Sequence, residues 1–320
     1  MRSLFSLVLF VLPFSMLAQF HWNDVSDSWN NVPTGVKLFD FRDSVDGQPV
    51  VAFAAVISLK EKRNRFTTAH TNNERLTPQA FYEREKKPFL VVNGTFFSFQ
   101  TNKNLNVLVK DGKLTANNVH DVALNGRDSG YCAHPFRSAI GIFSNRTADV
   151  AWIYTDSVSS VPFASQKSLV LPRSKGIGTY KLIQTDWKNQ FQPWPVQTAI
   201  GGGPVLIQNG RIDIYNNEER MFMGKAIADL HPRTAMGYTN NGELVILVVE
   251  GRHKNISAGV SLIQLAAMMK SLGCVEALNL DGGGSTCMLI QGRPVIRVSD
   301  LKDGEPTQRP VPGVFMVYTK

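Results

Sequence analysis

Four short segments of the chain carry side chains able to bind and cleave an anionic group. Asn93 follows the apolar run Phe89–Val92, and Arg233 and Thr234 sit inside His231–Gly237. Glu250 and Arg252 follow Leu244–Val249, and Asp281 follows Ala277–Leu280. The segment Leu280-Asp281-Gly282-Gly283-Gly284-Ser285 joins a carboxylate to three glycines and a hydroxyl. Such glycines let a ligand approach the main chain closely. Asp281 thus stands where a rigid strand meets an open turn, a common position for a working carboxylate. Glu250 and Asp281 suit an acid/base or nucleophile pair. The forked donors of Arg233 and Arg252 suit a phosphate or carboxylate. Each residue also has a plainer reading. Asp281 could cap its turn, Arg233 could bridge to Glu218 or Glu219, Glu250 could bind Arg252, and His231 could cap a strand.

These groups need a scaffold. Val50–Leu59, Phe89–Val92, Ser138–Phe143, Leu244–Val249 and Val311–Tyr318 read as strands. Thr77-Pro78 opens a helix with a hydroxyl cap and a first-turn proline, and that helix stops near Pro88. A second helix is apolar almost all round from Val260 to Leu272, so it is buried; Ser257 is its candidate cap and Gly273 its stop. Small-residue turns recur at Asn93-Gly94-Thr95, Gly201–Pro204 and Gly282–Gly284, each followed by a strand and a hairpin turn. Three such turns could gather at one end of a sheet. Residues 155–197, with Trp187, Trp194 and four prolines, read as an insertion lining or covering a cleft, where aromatics could stack on sugar rings. The expected class is α+β: mixed, mostly antiparallel sheets with a few buried helices. The strand, helix, strand unit from Leu244 to Leu280 would add a parallel pair. An α/β fold is the alternative.

Met1-Arg2 followed by the apolar run Leu4–Leu17 and Ser15-Met16-Leu17-Ala18 reads as a signal peptide over residues 1–18. Residues 19–320 then form a single exported domain, periplasmic or secreted, with no membrane span after cleavage. Of the three cysteines, Cys132, Cys274 and Cys287, one disulfide would leave one thiol over, and a buried apolar role suits each equally. The six histidines show no metal-ligand spacing, which disfavours a zinc enzyme. The net charge of +8 comes with no nucleic-acid motif and suits a phosphorylated sugar or anionic glycan.

Asn93-Gly94-Thr95-Phe96-Phe97, Gly202-Gly203-Pro204-Val205-Leu206, His231–Gly237, Glu250-Gly251-Arg252 and Leu280–Ser285 occur in the order seen in phosphodiester glycosidases. The chain resembles that family, including its bacterial exported members often labelled exopolysaccharide-related. Two departures stand out: many members carry Asp where Glu250 stands, and a third small residue where Thr95 stands. The resemblance implies hydrolysis of a sugar 1-phosphodiester, such as an N-acetylglucosamine-1-phosphodiester, to free sugar and phosphomonoester. It implies Asp281 as nucleophile or as base activating water, and Arg233 and Arg252 as the phosphate clamp. Glu250 would be a second acid/base group or an orienter of Arg252. Asn93, Gly202, Gly203, Thr234, Gly282, Gly283, Gly284 and Ser285 would bind substrate and shape the sugar pocket. A phosphate leaving group needs little protonation, so one strong carboxylate with cationic clamps suffices. No cofactor is required. A divalent cation near Asp281 would find hard ligands, but no recognised calcium loop assigns one. The competing readings are a non-catalytic protein that binds anionic envelope glycans and an α-glycosidase acting on neutral glycans.

Overall fold

Apolar strands pairing edge to edge build the body of the molecule. The structure, a computed structural model, describes residues 20–319 except 125, 177, 179–180 and 182–189. The signal peptide expected at residues 1–18 and Trp187 therefore lie outside the described residues. Three sheets of eight, seven and five strands make the body. In the eight-stranded sheet the central order is Val36–Val45, Gln48–Ser58, Glu243–Val249, Arg233–Thr239, Cys274–Asn279, Val205–Gln208. The seven-stranded sheet centres on Ala148–Tyr154, Ser138–Ile142 and Thr198–Gly201. The five-stranded sheet centres on Met288–Ile290, Leu90–Asn93 and Gly313–Thr319.

The fold is mostly β, which corrects the α+β expectation and its α/β alternative. Among the described residues the α-helices are short: Pro78–Arg84, Asn216–Glu219 and Leu262–Ser271. The expected parallel pair does not form. Arg233–Thr239 lies between Glu243–Val249 and Cys274–Asn279 and pairs antiparallel with both. The turn at Asn240-Asn241-Gly242 folds Arg233–Thr239 back as a hairpin partner and occupies that edge first. The helix then delivers the chain to the hairpin's other side.

Alternation along Glu243–Val249 explains its unbroken apolar character. Leu244, Ile246 and Val248 enter the main core between the sheets, with Trp152, Ile200, Leu90 and Phe315. Val245, Leu247 and Val249 face the other way, onto Leu265, Met268 and Met269 of the buried helix. Both faces of the strand are covered, so no polar face is needed. That helix is capped by Ser261, which accepts the Gln264 N–H while the Gln264 side chain accepts the Ser261 N–H. Ser257, the cap expected from sequence, instead donates to the Glu250 carbonyl at 2.6 Å and accepts from the Val51 N–H at 3.0 Å.

Two further expectations change. Trp194 is buried, and its Nε1 donates to Asp149 Oδ2 at 2.7 Å, so this insertion aromatic is core rather than a sugar platform. Glu219 is fully buried and joins two sheets rather than pairing with Arg233. It accepts from Ser138 N–H and Oγ–H, the Trp152 Nε1–H and the Val205 N–H, at 2.8 to 3.1 Å. Burial pushes its carboxyl up to about 7, and those four donors pull it back.

Candidate active site

Strands from two sheets end around the loop that follows Cys274–Asn279. The Asp281 N–H donates to the Gly94 carbonyl at 2.7 Å, and the Leu280 N–H to the Thr234 carbonyl at 2.8 Å. Asn93 Nδ2 donates to the Asp281 carbonyl at 2.6 Å. Asn93 Oδ1 accepts from Thr234 Oγ1 at 2.9 Å and from the Cys287 N–H at 3.0 Å. The Gly283 N–H donates to the Pro232 carbonyl at 2.8 Å. Asn93 and Thr234 are fully buried, so they grip the loop from behind. A fixed loop of this kind can present a carboxylate without drift.

The loop forms one wall of a hollow of about 250 Å³ that opens to solvent. Asp281, Gly282, Gly283, Gly284, Arg233 and Arg252 line it, together with His231, Arg309, Phe96, Phe222 and Ala226. The structure thus brings Asp281, Arg233 and Arg252 to one place, although their segments are far apart in the chain. Arg233 is anchored by main-chain carbonyls: Nε donates to Val260 at 3.1 Å, and Nη2 to Ala226 at 3.1 Å and Asp229 at 3.2 Å. It makes no ion pair with Glu218 or Glu219. Its guanidinium lies 5.4 Å from the centre of the Phe222 ring. Arg252 is exposed and has a left-handed backbone, φ +64°. A non-glycine residue rarely sits there unless its surroundings hold it. Among the described residues Arg252 forms no ion pair. Gly283 admits it closely, because a Cβ on Gly283 would lie 3.1 Å from Arg252 Nη2.

No sequence motif marks Arg309. Its Nε and Nη2 donate to the two oxygens of Asp300 at 2.8 and 2.9 Å, a forked pair that aims the guanidinium. From sequence His231 suits a strand cap and Phe96 belongs only to a motif. The flanking Gln308 and Pro310 offer no pattern that would have flagged Arg309.

Burial raises the Asp281 carboxyl to about 7. Three influences oppose this: the Ser285 hydroxyl, close by but outside hydrogen-bond geometry, the Arg309 charge, and the Gly282 N–H that donates to Oδ1 at 3.0 Å. Oδ2 is buried without a hydrogen-bond partner among the described residues. Arg233 is brought down to about 10, first by burial and then by the Arg252 charge, with Asp229 opposing. His231 is lowered by burial and by the charges of Arg233 and Arg252, which favours its neutral form. Three guanidinium groups around one carboxylate near its titration point leave the hollow cationic. Such a site attracts a phosphate or another anion.

Other expected site residues lie elsewhere. Glu250 is buried and does not line the hollow. Its Oε2 accepts the Arg297 N–H at 2.9 Å, and its carbonyl accepts Ser257 Oγ–H. Gly202 and Gly203 use their N–H groups to reach the carbonyls of Ser138, at 2.9 Å, and Asn279, at 2.7 Å. They join sheets behind the site. Ser285 is buried within the loop and does not line the hollow, whereas Gly284, also buried, does. Among the described residues no group of three or more His, Cys, Asp or Glu side chains could hold a metal ion. All three cysteines are free, and burial pushes the Cys287 thiol up to about 12.

A second polar chain occurs away from the hollow. His134 Nδ1 meets Asp121 Oδ1, and His134 Nε2 meets Ser174 Oγ, both at 2.7 Å. The cavity beside His134 holds only about 10 Å³, too little for a substrate, so this chain reads as a structural tie.

A family model described as phosphodiester glycosidase matches residues 86–318. The SPbeta prophage-derived uncharacterized protein YomE of Bacillus subtilis is 39% identical over 70 residues, 22% of this chain and 11% of that protein. The N-acetylglucosamine-1-phosphodiester alpha-N-acetylglucosaminidase of Bos taurus is 30% identical over 106 residues, 31% of this chain and 20% of that enzyme. The matched stretches are thus a small share of these relatives' own lengths. The solved catalytic domain of the zebrafish N-acetylglucosamine-1-phosphodiester alpha-N-acetylglucosaminidase, auto-inhibited by its pro-peptide, superposes with a TM-score of 0.61 at 19% identity. That superposition covers 94% of this chain and 89% of the zebrafish domain, which is a shared fold.

Proposed function

The chain belongs to the phosphodiester glycosidase family, and we propose that it hydrolyses a sugar 1-phosphodiester to free sugar and phosphomonoester. The observation that carries this reading is the single hollow holding Asp281, Arg233, Arg252 and Arg309. In this proposal Arg233 and Arg252 clamp the phosphate, and Arg309, aimed by Asp300, stands beside them. Ionised Asp281 either attacks the anomeric carbon or takes a proton from the water that does. The bond between that carbon and the phosphate oxygen breaks, and its electron pair leaves on the phosphate. The guanidinium groups stabilise the charge that builds there. In the first case a later water displaces Asp281 from the sugar. In either case the water oxygen ends as the new sugar hydroxyl, and its surplus proton passes through Asp281 to phosphate or solvent. Phe96 and Phe222 offer ring faces at the rim for an apolar patch of substrate.

Asn93 and Thr234 act as positioning residues for the Asp281 loop. Glu250 positions the turn that carries Arg252, through Arg297 N–H and Ser257. Gly282, Gly283, Gly284 and Ser285 shape the floor, with Gly202 and Gly203 behind it. Residues 19–320 act as one unit, exported by the leader read at residues 1–18. Among the described residues no helix is long and apolar enough to cross a membrane.

The test is incubation with sugar 1-phosphodiesters beside nitrophenyl glycosides, following free sugar by NMR. Release from the phosphodiesters is expected. Release only from the neutral glycosides would make the protein an ordinary glycosidase, and binding without release would make it a glycan-binding protein.

A further inference from the structure

Arg252 lines two hollows at once. The second, of about 370 Å³, is larger than the first, and its lining includes Arg252, His253, Lys254, Asn255 and Gln48. No Asp or Glu is among its lining residues. Lys254 is exposed and forms no ion pair among the described residues, and His253 Nε2 is buried without a hydrogen-bond partner there. The loop beneath is fixed rather than loose. The His253 N–H donates to the Ser257 carbonyl and the Ile256 N–H to the His253 carbonyl, both at 3.0 Å. The Ala258 N–H donates to the Pro49 carbonyl at 2.9 Å. The cationic Arg252 and Lys254, together with the His253 residue whose Nε2 is itself buried, therefore line a preformed space next to the catalytic hollow.

Orientation follows from the proposed reaction, on which this inference rests. The sugar lies against Asp281, the scissile phosphate lies at Arg233 and Arg252, and the group beyond that phosphate leaves past Arg252. We infer that this leaving portion of the substrate carries a second phosphate, held by Arg252, His253 and Lys254. The substrate class is then a sugar phosphodiester whose aglycone is itself phosphorylated, as in a repeating sugar–phosphate or polyol–phosphate polymer. The basic track ends one step further on. The neighbouring hollow that shares Pro49 contains Asp43, and its Arg42 is already paired with Asp40 at 3.0 Å. One additional phosphate, rather than a long row of them, matches that charge layout.

The experiment compares two substrates with the same sugar and the same scissile linkage. One carries a glycerol aglycone and the other a glycerol phosphate aglycone. The wild-type protein should prefer the phosphorylated aglycone in kcat/KM by roughly ten-fold, the scale of one charge-assisted contact, and the preference should shrink as salt is raised. Lys254→Gln and His253→Gln should each bring the preference toward one, chiefly through KM, while Lys254→Arg should keep it. Equal cleavage of the two substrates by wild type, or an undiminished preference in Lys254→Gln, overturns the inference. If neither substrate is cleaved, the hydrolase reading fails. Calorimetric binding of the same two compounds to wild type and Lys254→Gln then still decides the inference: tighter, Lys254-dependent binding of the doubly phosphorylated compound supports it, and equal binding overturns it.

Discussion

Gly284 lies directly beneath the Arg309 guanidinium, so close that a Cβ on Gly284 would collide with it. The backbone there is not in the left-handed region, so alanine strains nothing but the neighbour. Gly284→Ala should push Arg309 out of the hollow at little cost in stability. The expected result is a raised KM for a phosphodiester substrate with a near-native thermal midpoint, read by steady-state kinetics and calorimetry. Unchanged KM would mean that Arg309 does not bear on the bound phosphate.

Asp281→Asn keeps the shape and removes the charge. Turnover should fall by roughly 10²–10⁴-fold, the usual loss for a positioned acid/base group. Substrate binding should persist, and single-turnover kinetics beside a binding assay separate the two. Wild-type turnover in this variant would exclude Asp281 as the reacting carboxylate.

The raised Asp281 value has a consequence for stability. A carboxylate that titrates near 3.8 when unfolded and near 7 when folded binds its proton more tightly in the folded state. Stability from this group is full at low pH and is lost as pH rises from about 4 to about 7. Asp281→Asn should therefore gain stability over wild type at pH 8 and little at pH 4. The gain in Tm should be roughly 1–2 °C per kcal/mol relieved in a chain of this length. Equal midpoints at both pH values would show that the carboxyl is not held in a destabilising setting.

Activity should move the other way. If the ionised form reacts, kcat/KM rises with pH through a midpoint near 7. The Arg309 charge lowers the Asp281 value, so Arg309→Met should shift that midpoint to higher pH. A pH–rate profile that stays in place would detach Arg309 from Asp281.

Arg233→Lys keeps one charge but cannot reach the carbonyls of Val260, Ala226 and Asp229 from a single nitrogen with the same fork. Roughly ten-fold or greater loss in kcat/KM is expected, since hydrogen bonds to charged groups are of that scale. Kinetics equal to wild type would refute the clamp.

Asn93→Ala removes the side chain that serves Thr234, Cys287 and Asp281 together. Each buried partner left unsatisfied costs about 1–3 kcal/mol. A lowered denaturation midpoint together with reduced turnover is expected, and loss of neither would show that the loop is held by its other hydrogen bonds.

Asp281 and Arg252 are legible in the sequence because each follows a clearly apolar strand, where side chains leave the core, and Arg233 because its forked donor stands inside the motif His231–Gly237. Glu250 occupies an equivalent strand end, yet its carboxylate turns to Arg297 N–H. Side-chain direction at a strand end depends on twist and on the next turn, which composition does not encode. Arg309 is invisible for a different reason: only the folded chain carries it over Gly284. The parallel pair is misread at one strand. Leu244–Val249, a buried helix and Cys274–Asn279 look like a parallel unit, and no local signal says that Arg233–Thr239 will lie between them. Thr77 does cap its helix, accepting the Ala80 N–H at 3.1 Å, because a cap is decided by residues within one turn.

The bond from Asn93 to the Asp281 carbonyl joins residues 188 positions apart. A nascent chain that has emitted the first of them still lacks the other until 188 further residues have been made. A fragment that ends between the two lacks Asp281, so under the proposed mechanism it would be silent in an assay however well its strands paired. Hydrolysis by this protein would thus double as a readout of complete assembly, well suited to following refolding without a spectroscopic label.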